Sequence, residues 1–170
     1  MIVIRQETQN DYDEVYKLIA EAFATTEHAD GNEQYLVVDL RKGDGFIPEL
    51  SLVAKIDGEL AGHILFTKAM VGIDEVVVLA PLSVTPNCQK QGVGTALIAE
   101  GHRIAKELGY QYSLVLGSEL YYPKAGHIPA EQLGIEVPED IQSENFMAIK
   151  LQEDAKAISG PVTYAKEFRL

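Results

Sequence analysis

Apolar positions change their spacing several times along the chain, and each change predicts an element. Ile2, Val3 and Ile4 form a short β-branched run suited to a first strand. Val15, Leu18, Ile19, Ala22 and Phe23 then recur at helical spacing, with Asn10 or Asp11 standing where a cap belongs. The stretch Thr25 to Asn32 is polar and ends in turn residues. Tyr35 to Leu40 fits a helix and an extended segment about equally, before Gly43-Asp44-Gly45 and Pro48 break the pattern.

Leu50 to Ile56 and Leu60 to Lys68 flank Asp57-Gly58, which predicts a strand, a tight turn and a strand. Val76 to Val84 is apolar almost without interruption, as expected of a strand covered on both faces. Ala80-Pro81 falls inside it, and a proline there needs an edge or a bulge because it has no N–H to give. Thr95 to Leu108 reads as a helix with Ala96, Leu97, Ile98, Ile104, Ala105 and Leu108 on one face and Gly109 as its stop. Ser113 to Leu116 is a short buried strand. Tyr121-Tyr122-Pro123 opens a Gly/Pro-rich connection, and further strands are expected near Phe146 to Leu151 and Val162 to Ala165. Without repeats, low-complexity tracts or a linker, residues 1–170 are expected to form a single mixed α/β domain.

Charge narrows the class of partner. Fourteen basic against twenty-six acidic side chains leave a net charge of −12. Such a surface repels a polyphosphate backbone, which argues against nucleic acid and favours a cationic small molecule or a basic peptide. Cys88 is the single cysteine, so no intrachain disulfide forms, and His28, His63, His102 and His127 lack paired ligand spacing, so no metal is expected. No apolar stretch approaches the roughly eighteen residues that span a membrane. Met1-Ile2-Val3-Ile4-Arg5 is not a basic leader, so a cytoplasmic protein is the expectation.

Candidate chemistry concentrates between Pro81 and Thr95, where an apolar strand meets an amphipathic helix through Gln89-Lys90-Gln91-Gly92-Val93-Gly94. Free N–H groups at a helix N-terminus, with the dipole behind them, stabilise an anion. Glycines let the backbone approach phosphate oxygens closely, Lys90 adds a mobile positive charge, and Thr95 adds a hydroxyl. The spacing matches neither the P-loop nor the dinucleotide fingerprint.

The segment resembles motif A of the GNAT N-acetyltransferases, [QR]-x-x-G-x-[GA], here Gln89-x-x-Gly92-x-Gly94, preceded by Leu82, Val84 and Pro86 in the family's lead-in. It is similar in particular to a bacterial subfamily of small acetyltransferases, whose later signature is similar to Leu116-Gly117-Ser118-Glu119-Leu120-Tyr121-Tyr122-Pro123-Lys124-Ala125-Gly126. The resemblance implies an α/β (α+β) GNAT fold, with a central mixed, mostly antiparallel and splayed sheet flanked by helices. It implies acetyl-CoA as cosubstrate and a primary amine on a small molecule, peptide or protein as acceptor, by direct attack. Pairing into a homodimer is a further expectation by analogy.

Residue by residue, the resemblance puts the main chain of Leu82 and Val84 along the pantetheine arm. It puts the backbone amides of Gln89, Lys90, Gln91, Gly92, Val93, Gly94 and Thr95 around the pyrophosphate. Tyr122, four residues before Gly126, takes the position of a general acid for the departing thiolate, while Tyr121 is read as structural. Val78 stands where some histone-acetylating relatives carry a glutamate base. Glu75, Glu27 and Glu119 are the carboxylates a water could reach, and His63 is read either as a base or as a hydrogen-bonded structural residue. His127 replaces the large apolar residue usual after the glycine. A covalent step on Cys88 is not expected, since no histidine neighbours it in sequence. Acceptor selection is assigned to Thr25–Pro48, made acidic by Glu21, Glu27, Asp30 and Glu33, and to the C-terminal third. The competing reading is an acyl-CoA-binding sensor of the same fold with little or no catalysis.

Overall fold

The structure is a computed structural model that describes residues 1–24 and 31–170; Glu27 and Asp30 lie outside the described residues. Eight strands among them form one open sheet in the order β1-β2-β3-β4-β5-β7-β6, with β8 pairing β3 off that path. The strands are β1 (Ile2–Gln6), β2 (Phe46–Ile56), β3 (Glu59–Val71), β4 (Asp74–Val84), β5 (Tyr112–Leu116), β6 (Ile128–Pro129), β7 (Phe146–Lys150) and β8 (Val162–Thr163). Every pairing is antiparallel except β4 with β5.

Three α-helices among the described residues cover the sheet: α1 (Tyr12–Phe23), α2 (Glu33–Arg41) and α3 (Val93–Glu107). The ambiguity over Tyr35 to Leu40 resolves as helix, because Val37 and Leu40 are one α-helical turn apart and bury against Val15, Leu18 and Ile19 of α1 and Val53 and Leu65 of the sheet. Asp11 sits at the N-cap of α1, yet its carboxylate turns back to accept from Arg5 and from the Thr8 amide. The opposite face of the sheet is covered by α3. There Gly62 of β3 faces Val93 and Leu97, Gly101 faces Phe66, and a β-carbon at either glycine would overlap those side chains. The helix therefore lies closer to β3 than larger residues would permit.

The Asp57-Gly58 hairpin forms with φ of 52° and 84°, the left-handed pair that matches strand twist. Its strands are longer than the alternation alone indicates, because β2 continues back through Pro48 to Phe46. Pro48 is tolerated where β2 has no partner in β1, whose pairing covers only Leu52 to Ile56. No described helix is long and apolar enough to cross a membrane.

Proline in β4 has the consequence that positions the site. Opposite Ala80-Pro81, joined by a cis peptide, the β3 register slips between Ile64 and Phe66. On the other side, β5 pairs β4 only from Val77 to Leu79. The last five residues of β4 are thus held by β3 alone, and the sheet opens between β4 and β5.

Candidate functional site

The backbone direction in that opening follows from strand alternation. The Thr85 N–H donates to the Ala61 carbonyl at 2.9 Å, so Thr85 and Ser83 turn their peptide groups toward β3. The N–H and C=O groups of Leu82 and Val84 therefore point the other way, into the gap β5 leaves. One of them is already used: Gln89 Nε2 donates to the Val84 carbonyl at 3.3 Å and ties the following loop to the strand end.

That loop is built to leave amides free. A 3-10 turn over Pro86–Cys88 reverses the chain, Lys90 takes φ 64°, and Gly92 caps α3 with φ 87°. The left-handed value at Gly92 is one that only glycine adopts cheaply. The first intrahelical bond runs from Ala96 N–H to the Gly92 carbonyl at 3.0 Å. The helix leaves the amides of Val93, Gly94 and Thr95 unused, and its dipole adds positive potential at the same end. The helix begins two residues earlier than the apolar periodicity indicates, since Val93 is itself core.

A cavity of about 450 Å³ lies against these groups, lined by Leu82, Val84, Cys88, Gln89, Lys90, Gly92, Val93, Gly94, Thr95 and Tyr121. It brings together the expected set apart from Tyr122 and from Gln91, whose side chain donates to the Asn87 carbonyl at 3.1 Å. Tyr121 enters the lining although its sequence position reads as structural. A β-carbon on Gly94 would collide with the Tyr121 hydroxyl, so the tyrosine closes over the glycine. The only sequence signal for this was the paired tyrosines themselves, which cannot say which ring faces out.

Tyr122 lies behind Tyr121, half-buried, their rings edge to face at 5.0 Å. Burial, and then the neighbouring Tyr121, pushes the Tyr122 hydroxyl up to about 12. Gly117 leaves room for its ring, and His127 packs on its other side.

Of the carboxylates considered as bases, Glu75 is exposed at the far end of β4, roughly 25 Å along the strand from Ser83 at about 3.3 Å per residue. Glu119 stands near the tyrosines but accepts a 2.7 Å hydrogen bond from Asn145 Nδ2. Val78 is buried beside Leu114. His63 is fully buried on the α1–α2 face, in a polar group with Glu7, Arg41 and Ser51. Glu33, Asp39 and Glu167 line a separate cavity of about 370 Å³ between α2 and the C-terminal segment, away from the loop. No cluster suited to a metal occurs among the described residues.

Comparison with known proteins bears on this geometry. The family model described as the acetyltransferase (GNAT) family matches residues 12–127. The uncharacterised N-acetyltransferase YjhQ of Escherichia coli K12 is 35% identical over 142 residues, covering 81% of this chain and 76% of that protein. The uncharacterised N-acetyltransferase YhbS of the same strain is 31% identical over 140 residues, covering 80% and 83%. Among solved structures, YhbS from Escherichia coli in complex with CoA superposes with a TM-score of 0.88 at 28% identity, over 99% of this chain and 92% of that one. A GNAT family acetyltransferase from Brucella melitensis in complex with acetyl-CoA gives 0.81 at 28% identity, over 99% and 98%.

Proposed function

The chain belongs to the GNAT acetyltransferase family, and from that premise we propose that it transfers the acetyl group of acetyl-CoA to a primary amine by direct attack. The observation that carries this reading is the continuity of one surface. The outward peptide groups of Leu82 and Val84 lead along the cavity to the unused amides of α3.

Acetyl-CoA, when bound, supplies an activated acetyl group as a thioester. The amides of Val93, Gly94 and Thr95, with those of Gln89 to Gly92 and the Lys90 ammonium, hold its pyrophosphate. The main chain of Leu82 and Val84 pairs with the pantetheine amides and orients the thioester. An N–H in that gap donates to the carbonyl oxygen as negative charge develops there, a contribution of about 3 kcal/mol per donor in comparable sites. Tyr122 gives its proton to the departing sulfur. With its hydroxyl pushed up to about 12, it is fully protonated at neutral pH and returns to that state after each turnover.

The acceptor is an amine on a small molecule, peptide or protein, and the net charge of −12 suits a cationic one. Val78, in place of a carboxylate on β4, favours a second reading, in which the protein binds acyl-CoA as a sensor and catalyses weakly.

Isothermal titration with acetyl-CoA, followed by turnover on a panel of amines, tests both. We expect binding that is lost in a Gly92→Glu/Gly94→Glu variant of unchanged fold, and turnover with at least one amine. Binding without turnover on any amine selects the sensor, and a folded protein that binds no acetyl-CoA refutes both.

A further inference from the structure

The buried polar group on the α1–α2 face has a hydrogen-bond order that can be read from its members. Ser51 Oγ donates to Glu7 Oε1 at 2.7 Å, which uses its only proton. His63 Nε2 is 3.2 Å from the same Ser51 oxygen and 3.5 Å from Glu7 Oε2, and both of those atoms can only accept. The proton of the imidazole therefore sits on Nε2, and Nδ1 presents a bare lone pair. Arg41 binds Glu7 from the far side, with Nη2 at 2.6 Å from Oε2 and Nε at 3.2 Å from Oε1. A carboxylate thus orients one ring nitrogen so that the other is ready to take a proton.

The surroundings of Nδ1 are informative. It is buried without a hydrogen-bond partner among the described residues, and so is Ser83 Oγ. The two residues are register partners across β3 and β4, in a hydrogen-bonded backbone pair whose β-carbons are about 5 Å apart. Ser83 stands between Leu82 and Val84, the two residues whose peptide groups open into the gap. Its side chain is buried on the face opposite α3 and the loop.

We propose that Ser83, His63 and Glu7 form a proton relay serving as the general base for acetyl transfer, an inference that rests on the acetyltransferase reading above. As the acceptor nitrogen bonds to the acetyl carbon and the carbon–sulfur bond breaks, the nitrogen loses a proton to Ser83 Oγ. The Ser83 proton passes to His63 Nδ1, and Tyr122 protonates the sulfur. The imidazolium so formed is held by Glu7 through Nε2–H. It later returns its proton to solvent by the same path, and Tyr122 is reprotonated. Burial lowers His63 to about 4, against the attraction of Glu7 and with the repulsion of Arg41, while Asp11 adds a weaker attraction. The ring is therefore neutral at physiological pH. Val78, the absent carboxylate, is not needed.

Two readouts test the relay. Nitrogen-15 spectra of the histidines in the free protein should show His63 as the Nε2–H tautomer; an Nδ1–H tautomer overturns the relay whatever the activity. In turnover, His63→Gln and Ser83→Ala should each lower kcat about 100-fold, with acetyl-CoA affinity and amine KM unchanged. Because the two act in series, the double variant should be no slower than either single one. Losses that multiply, or single variants with wild-type kcat, overturn the relay while leaving the acetyltransferase reading intact. A wild-type protein that binds acetyl-CoA but turns over no amine refutes that reading and the relay with it. An acetyl group found on Ser83 after mixing with acetyl-CoA alone overturns the relay in favour of a covalent intermediate.

Discussion

His127 holds Tyr122 from behind. Its Nδ1–H donates to the Tyr122 carbonyl at 3.1 Å, and the two rings meet edge to face with centroids 5.5 Å apart. Through His127 the short turn carrying the paired tyrosines is anchored to the half-buried ring of His102 and, beyond it, the buried ring of Phe66.

Removing that anchor should loosen the proposed acid. His127→Ala is expected to lose about 1–3 kcal/mol of stability, from a buried ring and a buried hydrogen bond. It should also lower kcat about tenfold with little change in acetyl-CoA affinity. His127→Phe keeps a ring against Tyr122 and should recover most of the kcat. Urea unfolding and steady-state kinetics on both variants check this, and equal kcat in wild type and His127→Ala would refute it.

The two glycines of the loop should fail for different reasons. Gly92 has open space around it but φ 87°, so Gly92→Ala carries a backbone cost of about 1–2 kcal/mol, read in thermal or urea unfolding. At Gly94 the helix conformation suits alanine, and the new β-carbon meets Tyr121 instead. Gly94→Ala should keep its stability within about 1 kcal/mol while weakening acetyl-CoA binding about tenfold, which is about 1.4 kcal/mol. Calorimetric titration of the pair separates the two effects.

Arg41 is the sole cation on the buried Glu7 carboxylate among the ion pairs of the described residues, and its guanidinium also lies 3.9 Å from the centre of the Tyr12 ring. Arg41→Ala should therefore cost about 3–5 kcal/mol, since it leaves a buried charge without its partner. Denaturant midpoints of Arg41→Ala and the double variant Arg41→Met/Glu7→Gln test the cause. If the stranded charge is responsible, the double variant should be the more stable of the two.

Acid should destabilise the fold in a defined window. Burial depresses His63 and His102 to about 4, with His127 contributing to the second, against about 6.5 for a free imidazole. Between those values the unfolded chain binds more protons than the folded one. Stability is complete above pH 6.5 and is lost as pH falls toward 4, at about 1.4 kcal/mol per pH unit for each imidazole. His127 is also lowered by burial and adds to the slope, and His102→Gln should remove the His102 share from the slope of unfolding free energy against pH. An unchanged slope would contradict the assignment.

Local signals in the chain already determined much of this protein. Strand alternation, the Asp57-Gly58 turn, the apolar face of α3 and the Gln89-to-Gly94 loop depend on neighbours within a few residues, so their spacing carries them. The proline of Ala80-Pro81 also announced its bulge, because a missing N–H is a property of the residue alone. Contacts across the sheet were decided elsewhere. That Tyr121 lines the cavity while Tyr122 backs it depends on Gly94, Gly117 and His127, which come from a helix, a strand end and a short edge strand's approach. That His63 has Glu7 on one nitrogen and Ser83 as its register partner on the next strand depends on the pairing of β1 with β2, of β2 with β3 and of β3 with β4. Those residues are up to 76 positions apart, as Glu7 and Ser83 are numbered, and only the folded sheet's hydrogen bonds bring them together. A one-residue slip in either of the last two pairings would turn His63 or Ser83 to the other face. Pattern sets which elements form, and pairing register sets which side chains meet.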